Sequence, residues 1–160
     1  MNKLKISNIG LTHLRKMEAF MSHLYNDGPT KNTGHCTIGY GHLVHYNPCD
    51  VKKYAFEHQY IDGITMKKAT AFLQTDVAVA EKAINKLVTV TLNQNQFDAL
   101  VSLVFNIGAG AFSTSTLLKV INSNQLNGVP SAFRMWKKTG GKISAGLINR
   151  REAEIRLFQK

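Results

Sequence analysis

Two carboxylates nine residues apart, Glu18 and Asp27, lie in the segment MEAFMSHLYND. Glu18 recurs with Leu11, Leu14, Met21 and Tyr25 at spacings of three and four, which is one stripe of a helix. Burying a carboxylate is costly unless it is paired, hydrogen-bonded or neutral. A neutral carboxyl is also the form a general acid needs. Asp27, in the polar turn NDG, is placed as its complement, a base or a stabiliser of positive charge. Two carboxyl groups in contrasting surroundings are what cleavage of a glycosidic bond requires.

A second acid interrupts an apolar stripe. Asp76 comes three after Leu73 and four before Ala80, and it too needs a partner. The two cysteines, Cys36 and Cys49, have His35, His42 and His45 nearby, but the spacing fits no standard zinc pattern. They form either a disulfide across a short loop, in an oxidising compartment, or two free thiols.

The elements that must position these residues are mostly helices. Ser7 or Asn8 caps a first helix over residues 9–25, ended by the turn-rich NDGPTKNTGH. CTIGYGHLVHY then reads as a strand or hairpin, with Gly39 and Gly41 marking bends or close approach. Thr65 caps a long helix over 66–87, whose inner face is Ala69, Phe72, Leu73, Ala80, Ile84 and Leu87. Asn93 and Gln96 form a capping box ahead of Phe97, Leu100, Val101, Val104 and Phe105. NIGAGAF breaks that helix, and Ser113 or Ser115 starts another through Val120. Pro130 leads a short helix to Trp136, TGGK is a turn, and a last helix covers 147–158. That helix is expected to turn Ile148, Ile155 and Phe158 inward and Arg150, Arg151, Glu154 and Arg156 outward.

The 160 residues suffice for one domain, and no linker or repeat marks a second. The fold class is therefore α+β, mainly α: a β-containing lobe at about 26–64, a connecting helix at 66–87, and a helical lobe at 92–160 joined by the N-terminal helix. No apolar run approaches a membrane span, and no secretory signal opens the chain. The net charge of +10 is uneven: residues 111–160 hold nine Lys/Arg against Glu152 and Glu154. Such a face suits a polyanion: nucleic acid, an acidic membrane surface or an anionic wall polymer.

Glu18, Asp27 and the run TIGYGH resemble the catalytic segment of the phage-type lysozymes, the endolysins of glycoside hydrolase family 24. The resemblance continues through LNQNQFDALVSLVFNIGAGAFSTSTLL and MWKKTGGKISAGLINRREAEIRLF, so it covers nearly the whole chain in order. It implies a lysozyme-like fold. It also implies hydrolysis of the β-1,4 bond between N-acetylmuramic acid and N-acetylglucosamine in peptidoglycan, without metal or cofactor. Glu18 matches the general acid, Asp27 the second carboxylate and Thr37 the residue that places the attacking water. Leu43, Phe105, Asn106 and, more loosely, Ser115 match saccharide contacts. His42 and Asp76 match a structural pair tying the β segment to the long helix.

One departure is the Asp27–Thr37 loop, which is longer than the family's usual spacing. On this reading the partners are peptidoglycan, anionic envelope polymers held by Lys137, Lys138, Lys142, Arg150 and Arg151, and a holin-like pore. No nucleic acid is bound, and a monomer is expected. The enzyme would wait in the host cytoplasm until lysis releases it to the wall. Two other readings compete: a lytic transglycosylase acting on the same bond, and a non-catalytic basic module for wall polymer or nucleic acid.

Overall fold

The computed structural model describes residues 3–30 and 32–160, and its contacts group into two compact units. One comprises Met1–Leu14 with Val77–Lys160, the other Arg15–Asp76. Helix α1 (Asn8–Met17) spans the first boundary along the chain.

In the Arg15–Asp76 unit, a three-stranded antiparallel sheet is ordered β1 (Met21–Asn26), β2 (Cys36–Gly39), β3 (His42–His45). The β2–β3 hairpin is where CTIGYGHLVHY predicts it. The helix expected over 9–25 is not continuous: it ends at Met17, and residues 21–26 pair with β2 instead. Met21 lies opposite Gly39 and is 42% exposed, so the helical stripe through Glu18, Met21 and Tyr25 does not exist. A strand edge supplied by Cys36–Gly39 outweighs the helical periodicity of a segment that contains no breaker. All four residues of β2 are buried. Gly39 has φ +70°, and a Cβ there would stand 3.0 Å from Ala69 Cβ, so the strand meets helix α2 (Met66–Asp76) where only glycine fits.

Cys36 and Cys49 form a disulfide, tying β2 to the loop after β3. A 3₁₀ segment, Ala55–Tyr60, follows that loop. Reducing the bond is expected to lower stability by about 3 kcal/mol, the chain-entropy value for a loop of roughly fifteen residues. A lower urea midpoint in the presence of reductant checks this.

The helix expected over 66–87 is two helices, α2 and α3 (Ala78–Leu87), with Val77 between them at ψ −15°. Thr75 Oγ1 donates to the Ala71 carbonyl at 3.3 Å, a back-bond that bends helices, and β-branched Val77 and Val79 follow.

In the other unit, α4 (Gln94–Ile107) is buried from Phe97 to Val104 and packs against α3 and α8 (Ala145–Phe158). A helix buried on every side over two turns belongs at the centre of a core, and its buried Asp98 and Ser102 are hydrogen-bonded. The Asn93–Gln96 capping box starts it and Gly108, at φ +86°, ends it. A short α5 (Ala109–Ser113), absent from the sequence reading, precedes α6 (Thr116–Asn122), which Ser115 caps. Pro130 stands in the first turn of α7 (Val129–Arg134), and TGGK turns a hairpin of β4 (Lys138–Thr139) and β5 (Lys142–Ile143). The N-terminal segment is bound by side chains: Ile6 N donates to Glu81 at 2.7 Å and Ser7 N to Asp98 at 3.0 Å. Gly10 passes so close to Asp98 that a Cβ would sit 2.6 Å from its carboxyl carbon.

The orientation expected for the last helix is overturned. Arg150, Arg151 and Glu154 are 8%, 1% and 0% exposed, whereas Ile148 is exposed. Glu154 accepts from Ser102 Oγ at 2.7 Å, Arg151 Nη2 at 3.0 Å and Arg150 Nε at 3.2 Å, and Arg150 also donates to the Ser102 carbonyl. Arg151 Nε stands 2.7 Å from Glu154 Oε2, an ion contact outside hydrogen-bond alignment. Burial raises the Glu154 carboxyl above its ordinary value, against the lowering pull of Arg151, Ser102 and Arg150. Mutual pairing is what lets three charged groups occupy an inner face. Among the described residues, no helix is long and apolar enough to cross a membrane.

Candidate active site

The sheet of the Arg15–Asp76 unit brings three of the expected residues to one face. Thr37 lies opposite Tyr25 on β1 and opposite Leu43 on β3. Asp27 continues the alternation of β1 two residues past Tyr25, so it shares that face. Its backbone N–H donates to the His35 carbonyl at 3.1 Å, which makes Asp27 and Thr37 diagonal neighbours. At strand spacing such diagonal neighbours are roughly 7–8 Å apart. Leu43, 36% exposed, borders them.

Each side chain has a defined setting. Asp27 Oδ1 accepts the His35 N–H at 2.6 Å, and its Oδ2 is 3.5 Å from His35 Nδ1. Thr37 is buried and donates its hydroxyl proton to the Tyr25 carbonyl at 3.1 Å, which fixes its rotamer and turns its lone pairs elsewhere. The long 28–34 loop folds on itself. Gly28 N donates to the Thr33 carbonyl and Thr33 N to the Thr30 carbonyl, at 3.2 and 3.1 Å. Gly28 and Thr33 are thus held together, and Thr37 pairs with Tyr25 beyond them.

Glu18 is in the bend between α1 and β1, half-buried. It is not on a helix stripe, as the sequence periodicity proposed, but three residues ahead of the strand whose far end leads into Asp27.

His42 Nδ1 lies 2.9 and 3.0 Å from the two oxygens of Asp76, and its ring stacks on Phe72 at 4.2 Å. This pair ties β3 to α2 away from the Asp27–Thr37–Leu43 face. Asp76→Asn is expected to lower stability by about 1–2 kcal/mol, the loss of a charge-assisted hydrogen bond, read as a shift in urea midpoint.

In the other unit, Phe105 is half-buried and Asn106 exposed in the last turn of α4. Ser115 is buried, its hydroxyl accepting from Leu118 N at 3.0 Å as the cap of α6. The basic face loses two members: Arg150 and Arg151 are buried against Glu154, which leaves Lys137, Lys138 and Lys142 on and beside the β4–β5 hairpin. Sequence reasoning also missed a cluster of Cys36, His45 and Glu57, because Glu57 stands twelve residues beyond His45 with no motif linking them.

Comparison with known proteins agrees with this architecture. The chain is 38% identical over 155 residues to an endolysin of Salmonella phage P22, covering 97% of this chain and 98% of that one. It is 37% identical to an endolysin of Bacillus phage PZA, of which it spans 55%, so it covers about half the length of that relative. Among solved structures, the muramidase domain of SpmX from Asticaccaulis excentricus superposes with a TM-score of 0.80 at 32% identity, covering 98% of both chains. The phage lysozyme family matches residues 15–154, a stretch that includes Glu18, Asp27 and Thr37. The chain has the lysozyme-like fold and belongs to the phage lysozyme family.

Proposed function

We propose that this protein is a peptidoglycan-cleaving muramidase that hydrolyses the β-1,4 bond following N-acetylmuramic acid. The observation that carries this reading is the common face of Asp27, Thr37 and Leu43, with Glu18 at the other end of β1, in a chain of this family.

Glu18 donates its proton to the glycosidic oxygen as the C1–O bond breaks, and the departing sugar leaves as a neutral alcohol. Asp27 takes a proton from the water that attacks C1, and the lone pairs of Thr37 orient that water. Two proton positions and one water balance the hydrolysis with no cofactor. Leu43 offers an apolar contact for a sugar ring; Phe105 and Asn106 are the contacts assigned to the other unit. Ser115 is committed to capping α6 and is assigned no sugar.

Lys137, Lys138 and Lys142 would hold anionic envelope polymers at a salt-dependent affinity. The chain acts as a monomer and waits in the host cytoplasm for a holin-like pore to admit it to the wall. The Cys36–Cys49 disulfide suits that oxidising destination.

Digestion of purified peptidoglycan followed by mass analysis tests the reading. New reducing ends at muramic acid are the expected result. A 1,6-anhydro ring would mean a transglycosylase, and an intact wall would leave only a binding module.

A further inference from the structure

One buried cluster is used by none of this chemistry. His45 Nε2 lies 2.6 Å from Glu57 Oε1, and the ligand atoms of Cys36, His45 and Glu57 all fall within 4.8 Å of one another. Cys49 is bonded to Cys36, so a second sulfur adjoins the group. Glu57 is fully buried, which a carboxylate rarely is. Its Oε1 also accepts Asp50 N–H at 3.1 Å, whereas its Oε2 has no hydrogen-bond partner among the described residues. A buried carboxylate oxygen with no donor is costly and calls for an explanation. The rings of Tyr54 and Phe56 flank His45 at 4.5 and 5.2 Å, walling the cluster with apolar surface.

We propose that, once the disulfide is reduced, Cys36, His45, Cys49 and Glu57 bind one divalent cation of the zinc class. Two thiolates, an imidazole and a carboxylate make a tetrahedral set, and the sulfur ligands select zinc over magnesium or calcium. A dithiol supplies two electrons and two protons to the S–S bond and is itself oxidised to a cyclic disulfide. The two new thiols release two protons as the cation binds. The proton that Nε2 shares with Glu57 moves to Nδ1, which gives up the Asn47 N–H it now accepts at 3.2 Å. The cation would link β2 to the Cys49 loop in a reducing compartment, as the disulfide does in an oxidising one. Thr37, next to Cys36 on β2, is held in either state.

The experiment titrates cobalt(II) into the whole chain after reduction by a phosphine, which takes oxygen from water as it is oxidised and adds no thiol. One cobalt per chain is expected, with a thiolate-to-metal charge-transfer band and the strong visible bands of a tetrahedral site, both abolished by zinc. The oxidised chain should take up none. Glu57→Gln and His45→Gln should each weaken binding by more than about tenfold. Cys49→Ser, a check should either variant misfold, should lose part of the charge-transfer intensity. A reduced chain that takes up no stoichiometric cobalt, folded or unfolded, overturns the proposal. So does equal affinity and an equal spectrum in the Glu57 and His45 variants, which would mean that the cysteines act alone.

Discussion

Glu18→Gln is expected to lower kcat on purified peptidoglycan by roughly a hundred- to ten-thousand-fold, the range that general-acid catalysis supplies. The amide keeps the size and shape of the side chain but has no acidic proton to give to the leaving oxygen. Because the lost interaction exists only in the transition state, the effect should fall on kcat, with KM near wild type. Glu18 is half-buried in a bend, not set into the core, so the urea midpoint should move little. A variant that clears the wall at the normal rate would remove Glu18 from the mechanism. A variant that loses activity and stability together would make it a structural residue.

Arg151→Met is expected to destabilise the protein by about 3–5 kcal/mol at neutral pH, the cost of breaking a buried ion pair from one side. Methionine preserves much of the apolar volume, so the loss isolates the charge. Glu154 is fully buried, and its carboxyl is already raised by desolvation; Arg151 is the first of the groups that lower it. The pH dependence has a definite sign. A carboxyl whose value is raised on folding contributes stability that is complete below its unfolded value, near 4.5, and is lost as pH rises through the folded value. Without Arg151 the folded value rises further. The deficit of the variant should therefore be small in acid and grow as pH rises to neutrality. Urea midpoints across that window check it; a deficit independent of pH would mean that Arg151 matters through packing alone.

Local signals carried much of the fold. The Asn93–Gln96 box, the Thr65 cap, the Pro130 helix and the β2–β3 hairpin each follow from hydrogen-bonding chemistry within a few residues. Where neighbours far along the chain decide the outcome, periodicity misleads. Residues 18–26 satisfy a helical stripe, yet β2 offers them a strand partner. Arg150 and Arg151 carry the charge that usually marks a solvated face, but a glutamate three and four residues on the same helix and a serine on α4 neutralise and bond them inside.

The candidate site was legible for a different reason. Glu18, Asp27 and TIGYGH resemble the family's catalytic segment, and that resemblance names the residues without depending on the element that holds Glu18. The motif alone could not reveal the shared face of Asp27, Thr37 and Leu43, which depends on strand register. Nor could it reveal Glu57, which reaches His45 only through the fold.

The central claim is that water ends up on the anomeric carbon. Digestion of purified peptidoglycan in heavy-oxygen water, with mass analysis of the fragments, tests it most directly. The account predicts one heavy oxygen at each new muramic acid reducing end, formed by the wild type and not by Glu18→Gln. Fragments released without the label, closed as internal anhydro rings, would contradict it.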